Sequence, residues 1–191
     1  MSLRLLLPLS LAFALSACGL LRAPPPPAVV HDLGAAPVAE RVLPWQLGVQ
    51  VGAPPWLDDG GVHYRQVGAT RLAAYRDHRW AAPPSDLLAR HLRARLAPPH
   101  PGAAGRWLEL ELTAFEQRFA ADGTAAAHVR VRALLFDRRG GKLLASRDFE
   151  RVEPAASADV HGGVAALAAA ADALAVAVLD WLAALPEQEQ P

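Results

Sequence analysis

The sequence predicts an α+β domain: an antiparallel sheet, a meander of hairpins, packed by two helices of which the longer is C-terminal. Three observations predict it. Apolar and polar residues alternate over 45–51, 107–112 and 127–136, the period of half-buried strands. Turn-forming clusters separate such segments: Asp58-Asp59-Gly60-Gly61, Ala121-Asp122-Gly123-Thr124 and Asp137-Arg138-Arg139-Gly140-Gly141. Two stretches switch to helical spacing, one after Pro83-Pro84 and a longer, Ala-rich one after residue 158.

The chain opens with a short charged start at Arg4, followed by an almost wholly apolar run over 5–15. That is the grammar of a signal peptide, and the run is well short of the ~20 residues a membrane-spanning helix needs. Leu15-Ser16-Ala17-Cys18 resembles the bacterial lipobox. In such signals lipid is attached to the cysteine sulfur and the chain is cut just before it, here between Ala17 and Cys18. Residues 1–17 are thus expected to be a lipoprotein signal peptide and Cys18 the lipidated residue, carrying palmitate-type chains. Two or more acyl chains hold a protein stably where one is marginal. The sorting rule that accompanies this motif retains a lipoprotein in the inner membrane when Asp follows the cysteine, so Gly19 implies delivery to the outer membrane. Residues 18–28 form a linker whose run Pro24-Pro25-Pro26-Pro27 is stiff and extended. It reads as a spacer from a membrane, or as a ligand for a proline-recognition domain.

From residue 29 to 185 the pattern reads as a single domain. Residues 29–34 form a short strand ending in a turn. In 45–51, Leu47, Val49 and Val51 share a face. Residues 62–65 and 71–75 flank a turn at 67–70 and read as paired strands. Ser85 is placed as the N-cap of the first helix, with Asp86 favourably near its positive end. Leu87, Leu88, His91, Leu92 and Leu96 then follow at helical spacing until Pro98-Pro99 stops it. His91, beside that apolar stripe, reads as a packed side chain. Leu108, Leu110 and Leu112 point inward, whereas Phe115 and Phe119 have the opposite parity, which predicts a bulge near Thr113-Ala114. Val129, Val131, Ala133 and Leu135 give the next strand an inward face and His128, Arg130 and Arg132 an outward one. Glu109 and Glu111 are expected to pair with those arginines across the ladder. A third strand follows over 142–152. The last helix, over 158–185, aligns Val160, Val164, Leu167, Ala171, Leu174, Val178, Leu182 and Leu185, with Ser157 as a cap. Its other faces are so Ala-rich that the smaller helix or another subunit should cover them. Residues 186–191 form a polar tail.

The chemistry of enzymes is missing. Nineteen Lys+Arg against nineteen Asp+Glu give no net charge, which disfavours nucleic-acid binding. A single cysteine excludes an internal disulfide framework and a Cys-rich zinc site. The histidines show no metal-ligand spacing, no serine sits in a nucleophile elbow, and Gly140-Gly141 and Gly162-Gly163 match no phosphate-binding fingerprint. The reading is of a protein that is not an enzyme and uses no cofactor or metal.

A wider resemblance emerges at Tyr75-Arg76-Asp77-His78-Arg79-Trp80-Ala81-Ala82-Pro83-Pro84-Ser85-Asp86-Leu87-Leu88. An aromatic strand end, a basic residue before Trp-Ala, prolines and a leucine-rich helix follow in order. Around it stand His31-Asp32-Leu33-Gly34, Leu57-Asp58-Asp59, Val62-His63-Tyr64-Arg65, Leu108-Glu109-Leu110 with Phe115, Phe149 and a final Trp181-Leu182. This ordered set resembles the ABC-type transport auxiliary lipoproteins, the group containing the paraquat-inducible type C intermembrane transport lipoprotein. The resemblance implies a non-catalytic auxiliary of an intermembrane lipid-transport system. It implies a lipid anchor in the outer membrane, on the periplasmic side, an MCE-domain protein as partner, and assembly as a homo-oligomer. Tyr75, Arg79 and Trp80 are candidates either for partner contact or for core packing. Two other readings stay open: a lipoprotein that binds a small apolar ligand or a single lipid, and a cell-envelope assembly lipoprotein.

Overall fold

The computed structural model describes residues 27–35, 41–98 and 105–185. Ala17, Cys18, Gly19, the signal peptide, most of the linker and the tail after residue 185 lie outside the described residues. Seven strands form one mixed sheet: β1 (Val29–His31), β2 (Gln46–Gly52), β3 (Gly61–Gln66), β4 (Ala73–Trp80), β5 (Gly105–Phe119), β6 (Ala125–Phe136) and β7 (Leu143–Pro154). Among the described residues two helices, α1 (Pro84–Ala94) and α2 (Val160–Ala183), accompany it. The α+β class and the longer C-terminal helix are as the sequence predicts.

The predicted meander holds where β5, β6 and β7 pair antiparallel in succession. Elsewhere the sheet departs from it. β5 has 15 residues, and its second edge is shared by two shorter strands. β2 runs parallel to its first half, from Gln46 opposite Gly105 to Gly52 opposite Glu111. β3 runs parallel to its second half, from His63 opposite Glu116 to Gln66 opposite Phe119. β1 is also parallel to its neighbour, with His31 opposite Trp80. A parallel neighbour needs a long return path, here through β4 and α1, which short-range patterning cannot reveal. β4 extends past the predicted end at residue 75, and its last residues pair with β1.

The parity switch in β5 is real. Its register against β6 shifts between Leu112 and Ala114. Leu108, Leu110 and Leu112 before the bulge, and Phe115 after it, are thereby all buried in one core with Val129, Val131 and Leu135. Onto this face α2 lays Leu167, Ala171, Leu174, Val178 and Leu182, all fully buried. By length and composition α2 could cross a membrane, yet more than half of its most apolar stretch is buried in the fold. α1 covers one flank of it. His91 is buried, as expected of a packed side chain, and its Nε2–H donates to Asp172 Oδ1 at 2.8 Å. Arg95 pairs with the same carboxylate. Burial works against the charge on Asp172, but the bonds from His91 and Arg95 prevail and hold its carboxyl below the usual range. The outermost alanines of α2, Ala165, Ala169 and Ala183, stay exposed.

Both predicted serine caps are displaced by aspartates. Ser85 lies inside the first turn of α1, which starts at Pro84. Its N–H and hydroxyl both donate to Asp58, at 3.0 and 2.7 Å, so a loop carboxylate caps this helix from outside. The turn that delivers Asp58 bends at Gly60, whose φ of +79° favours glycine. At α2 the cap is Asp159, which accepts from Gly162 N–H at 2.9 Å, while the Ser157 hydroxyl donates to the same carboxylate. The expected Glu–Arg ladder pairs are also replaced: Arg132 stands opposite Glu111 but bonds Asp148 of β7 at 3.1 Å.

Asp58→Ala should lower stability by about 1–2 kcal/mol, because it removes an acceptor from the α1 N-terminus and leaves the buried Ser85 hydroxyl without its partner. Urea unfolding of the variant against the parent measures it.

Candidate functional site

The corner where β1, β4 and the start of α2 meet concentrates the polar side chains that the fold does not need for its core. The three residues singled out in the sequence have different places there. Trp80 is 2% exposed, and its ring stands edge-on to Phe115 at 5.3 Å. Arg79, one residue earlier, is exposed and pairs in register with Val30 and Gly61 on the other side of the strand. Tyr75 is half-buried, and its ring leans on Tyr64 at 4.6 Å. Its hydroxyl donates to Gln117 Oε1 at 2.8 Å, and Gln117 Nε2–H donates in turn to the backbone carbonyl of Asp159 at 2.9 Å. Tyr75, Gln117 and the α2 cap thus form one chain.

That chain fixes where α2 begins. A Cβ on Gly163 would lie 2.3 Å from Gln117 Oε1, so only glycine lets the helix approach this closely. The Gly162-Gly163 pair, which fits no phosphate loop, has a packing role. Burial, with the charges of Tyr64 and Asp159, pushes the Tyr75 hydroxyl up to about 12, so it stays a neutral donor. The N–H of Gly162, then the Ser157 hydroxyl, hold the Asp159 carboxyl below its ordinary value.

Above this chain sit three histidines from three elements: His31 on β1, His78 on β4 and His161 on α2. His31 Nε2 and His78 Nδ1 are 2.9 Å apart, with near-parallel rings at 11°. His161 stands edge-on to both, its ring centroid 6.4 Å from His31 and 5.6 Å from His78. Burial, then the charges of His78 and His161, lower the pKa of His31. Nothing in the sequence signals this cluster, because its members lie far apart in the chain and only the parallel β1–β4 pairing brings two of them together. Among the described residues no group of three His, Cys, Asp or Glu side chains is arranged to hold a metal ion.

The sheet's other polar feature follows from the same bulge. Glu116 is 1% exposed and lies between Arg65 and Arg118, at 2.6 and 2.8 Å. His128 bonds Glu150 at 2.5 Å, and this bond, acting against burial, keeps the Glu150 carboxyl low. A groove of about 550 Å³ is lined by Trp56, His63, Arg65 and Leu72. Another, of about 560 Å³ and mostly apolar, is lined by Val67, Arg118, the alanines 125–127, Val152 and Pro154. None of these arrangements couples a nucleophile to a base.

The family model for the ABC-type transport auxiliary lipoprotein component matches residues 31–178. The chain belongs to this family. The match begins at the last residue of β1 and ends within α2, so it takes in β2 to β7 entire. No curated protein matches the chain. The fold is similar to that of protein XCC0632 from Xanthomonas campestris, a protein of family model DUF330. The TM-score is 0.69 at 21% identity, over 82% of this chain and 95% of that one. A solved structure of an uncharacterised protein, also 21% identical, gives a TM-score of 0.62 over 82% of this chain and 99% of that one. Family membership makes the chain a lipoprotein auxiliary associated with an ABC-type transport system of the cell envelope.

Tyr75→Phe should cost about 1–2 kcal/mol, since it leaves Gln117 Oε1 without its donor inside the corner. Gly163→Ala should cost more, because its methyl group collides with Gln117 and displaces the start of α2. Thermal unfolding of both variants gives the order.

Proposed function

We propose that the protein is a lipid-anchored, periplasm-facing auxiliary of an MCE-type intermembrane lipid-transport system, and that it docks the far end of that assembly at the outer membrane. The observation that carries the reading is the family match over residues 31–178, joined to a sole cysteine at the end of Leu15-Ser16-Ala17. Residues 1–17 are removed, Cys18 takes the lipid, Gly19 permits passage to the outer membrane, and the proline-rich linker to residue 28 spaces a domain spanning 29–185 from the bilayer. No step of turnover is involved: the domain acts by binding.

Two surfaces suit protein contact. Arg79 stands exposed beside the exposed Val30, which supports its use as a partner contact, whereas the burial of Trp80 supports a packing role for that residue. Ala165 and Ala169 leave a patch of small side chains near the start of α2, which allows a second copy to approach closely. The mostly apolar groove beside Val67 and Val152 favours one second reading, a lipoprotein that carries a single lipid.

Cys18→Ser should give uncleaved precursor that takes up no labelled palmitate, and Gly19→Asp should move the protein to inner-membrane fractions; equal labelling of mutant and parent would refute the anchor. Ala165→Glu and Ala169→Glu should weaken self-association and co-purification with the MCE-domain partner while circular dichroism stays unchanged, because both sites are exposed in a single copy. A monomer that ignores the MCE protein yet keeps lipid through purification would favour the second reading.

A further inference from the structure

We infer that β1 is a proton-operated latch: the His31–His78 pair holds it on β4 at neutral pH, and acidification releases it while the rest of the sheet stays folded. A hydrogen bond between two imidazoles needs one N–H and one lone pair, so at least one ring must be neutral. His31 Nε2 and His78 Nδ1, 2.9 Å apart, make this bond. A proton on each ring would set two N–H groups against one another.

The surroundings offer little to offset that charge. From β4, His78 faces His31 directly, and Tyr75 lies edge-on to His78 at 6.1 Å. The Tyr75 phenol remains neutral. From α2, His161 adds a third ionisable ring. The nearby carboxylate, Asp159, is occupied by Gly162 N–H and Ser157 and acts on His161. On the opposite face of β4 the exposed Asp77 and Arg79 carry opposite charges and leave no net charge there.

β1 itself has few other attachments. It is three residues long, Val29 and Val30 are exposed, and its end is held by the bond from Ala81 N–H to the His31 carbonyl at 2.7 Å. Leu33, just beyond, is buried in the core, which confines the opening to the strand. The sign follows from the lowered pKa of His31. Above the ordinary value of 6.5 His31 is neutral and the latch is closed. As pH falls below 6.5 the released strand takes up protons more readily than the docked one, and the balance shifts toward release, by about tenfold for each unit separating the two states.

Hydrogen exchange of the full chain in detergent, at pH 7.5 and 5.0 and corrected for intrinsic exchange, tests the latch. Protection of β1 and of the Ala81 amide, which donates to the His31 carbonyl, should fall at the lower pH, with β5, β6 and the Trp80 amide, which donates to Gly60, unchanged. His78→Gln should reduce the pH response to the part that burial of His31 alone gives. His161→Gln, at an exposed site that leaves folding intact, should reduce it. Equal protection of β1 at the two pH values in the parent, a uniform loss across the sheet, or an undiminished response in both variants would overturn the latch.

Discussion

The bulge between Leu112 and Ala114 is the constraint on which the other placements rest. A strand of 15 residues without it would keep one parity throughout, and Phe115 would leave the core that Leu108, Leu110 and Leu112 begin. With it, the apolar face is continuous and α2 can lie along it. The same shift turns Glu116 and Arg118 to the other side and brings Gln117 onto the helix face. There Gln117 meets Tyr75 and the cap of α2. One extra residue therefore sets both the core and the polar corner.

Each helix is also fixed by a carboxylate at its start. Asp58 reaches α1 from the loop between β2 and β3, so α1 is tied to the edge that serves β5. Asp159 caps α2 locally and offers its carbonyl to Gln117. Asp172 then joins the helices to each other through His91 and Arg95. Each tie satisfies donors that burial would otherwise leave unpaired, and together they orient two helices whose apolar faces alone would allow some sliding.

What the sequence reveals divides along the same lines. Alternation in β2, β5 and β6, the bulge, and the helical spacing in α1 and α2 are local periodicities, and they are legible. The caps are read one step wrong: Ser85 and Ser157 are good capping residues by type, but each donates to an aspartate that serves its helix better. Sequence proximity cannot show that Asp58 would arrive from a separate loop. The parallel pairings of β1, β2 and β3 depend on long returns and leave no short-range trace. The histidine cluster is hidden for that reason, since His31 and His78 meet only through one such pairing. The split of Tyr75, Arg79 and Trp80 among network, surface and core follows from the strand's alternation together with its irregular pairing to β3 between Gly61 and His63.

Among the described residues the sheet ends on β7, a strand of 12 residues with no neighbour beyond it in the strand order. An open edge of that length is a template for unwanted strand addition, the more so for proteins crowded into two dimensions on a membrane. β7 meets this hazard with Arg147, Asp148, Glu150, Arg151 and Glu153, five charges among the seven residues 147–153. A strand joining there would have to strip water from them one after another and match their order of signs. The edge thus discourages fibril-like growth.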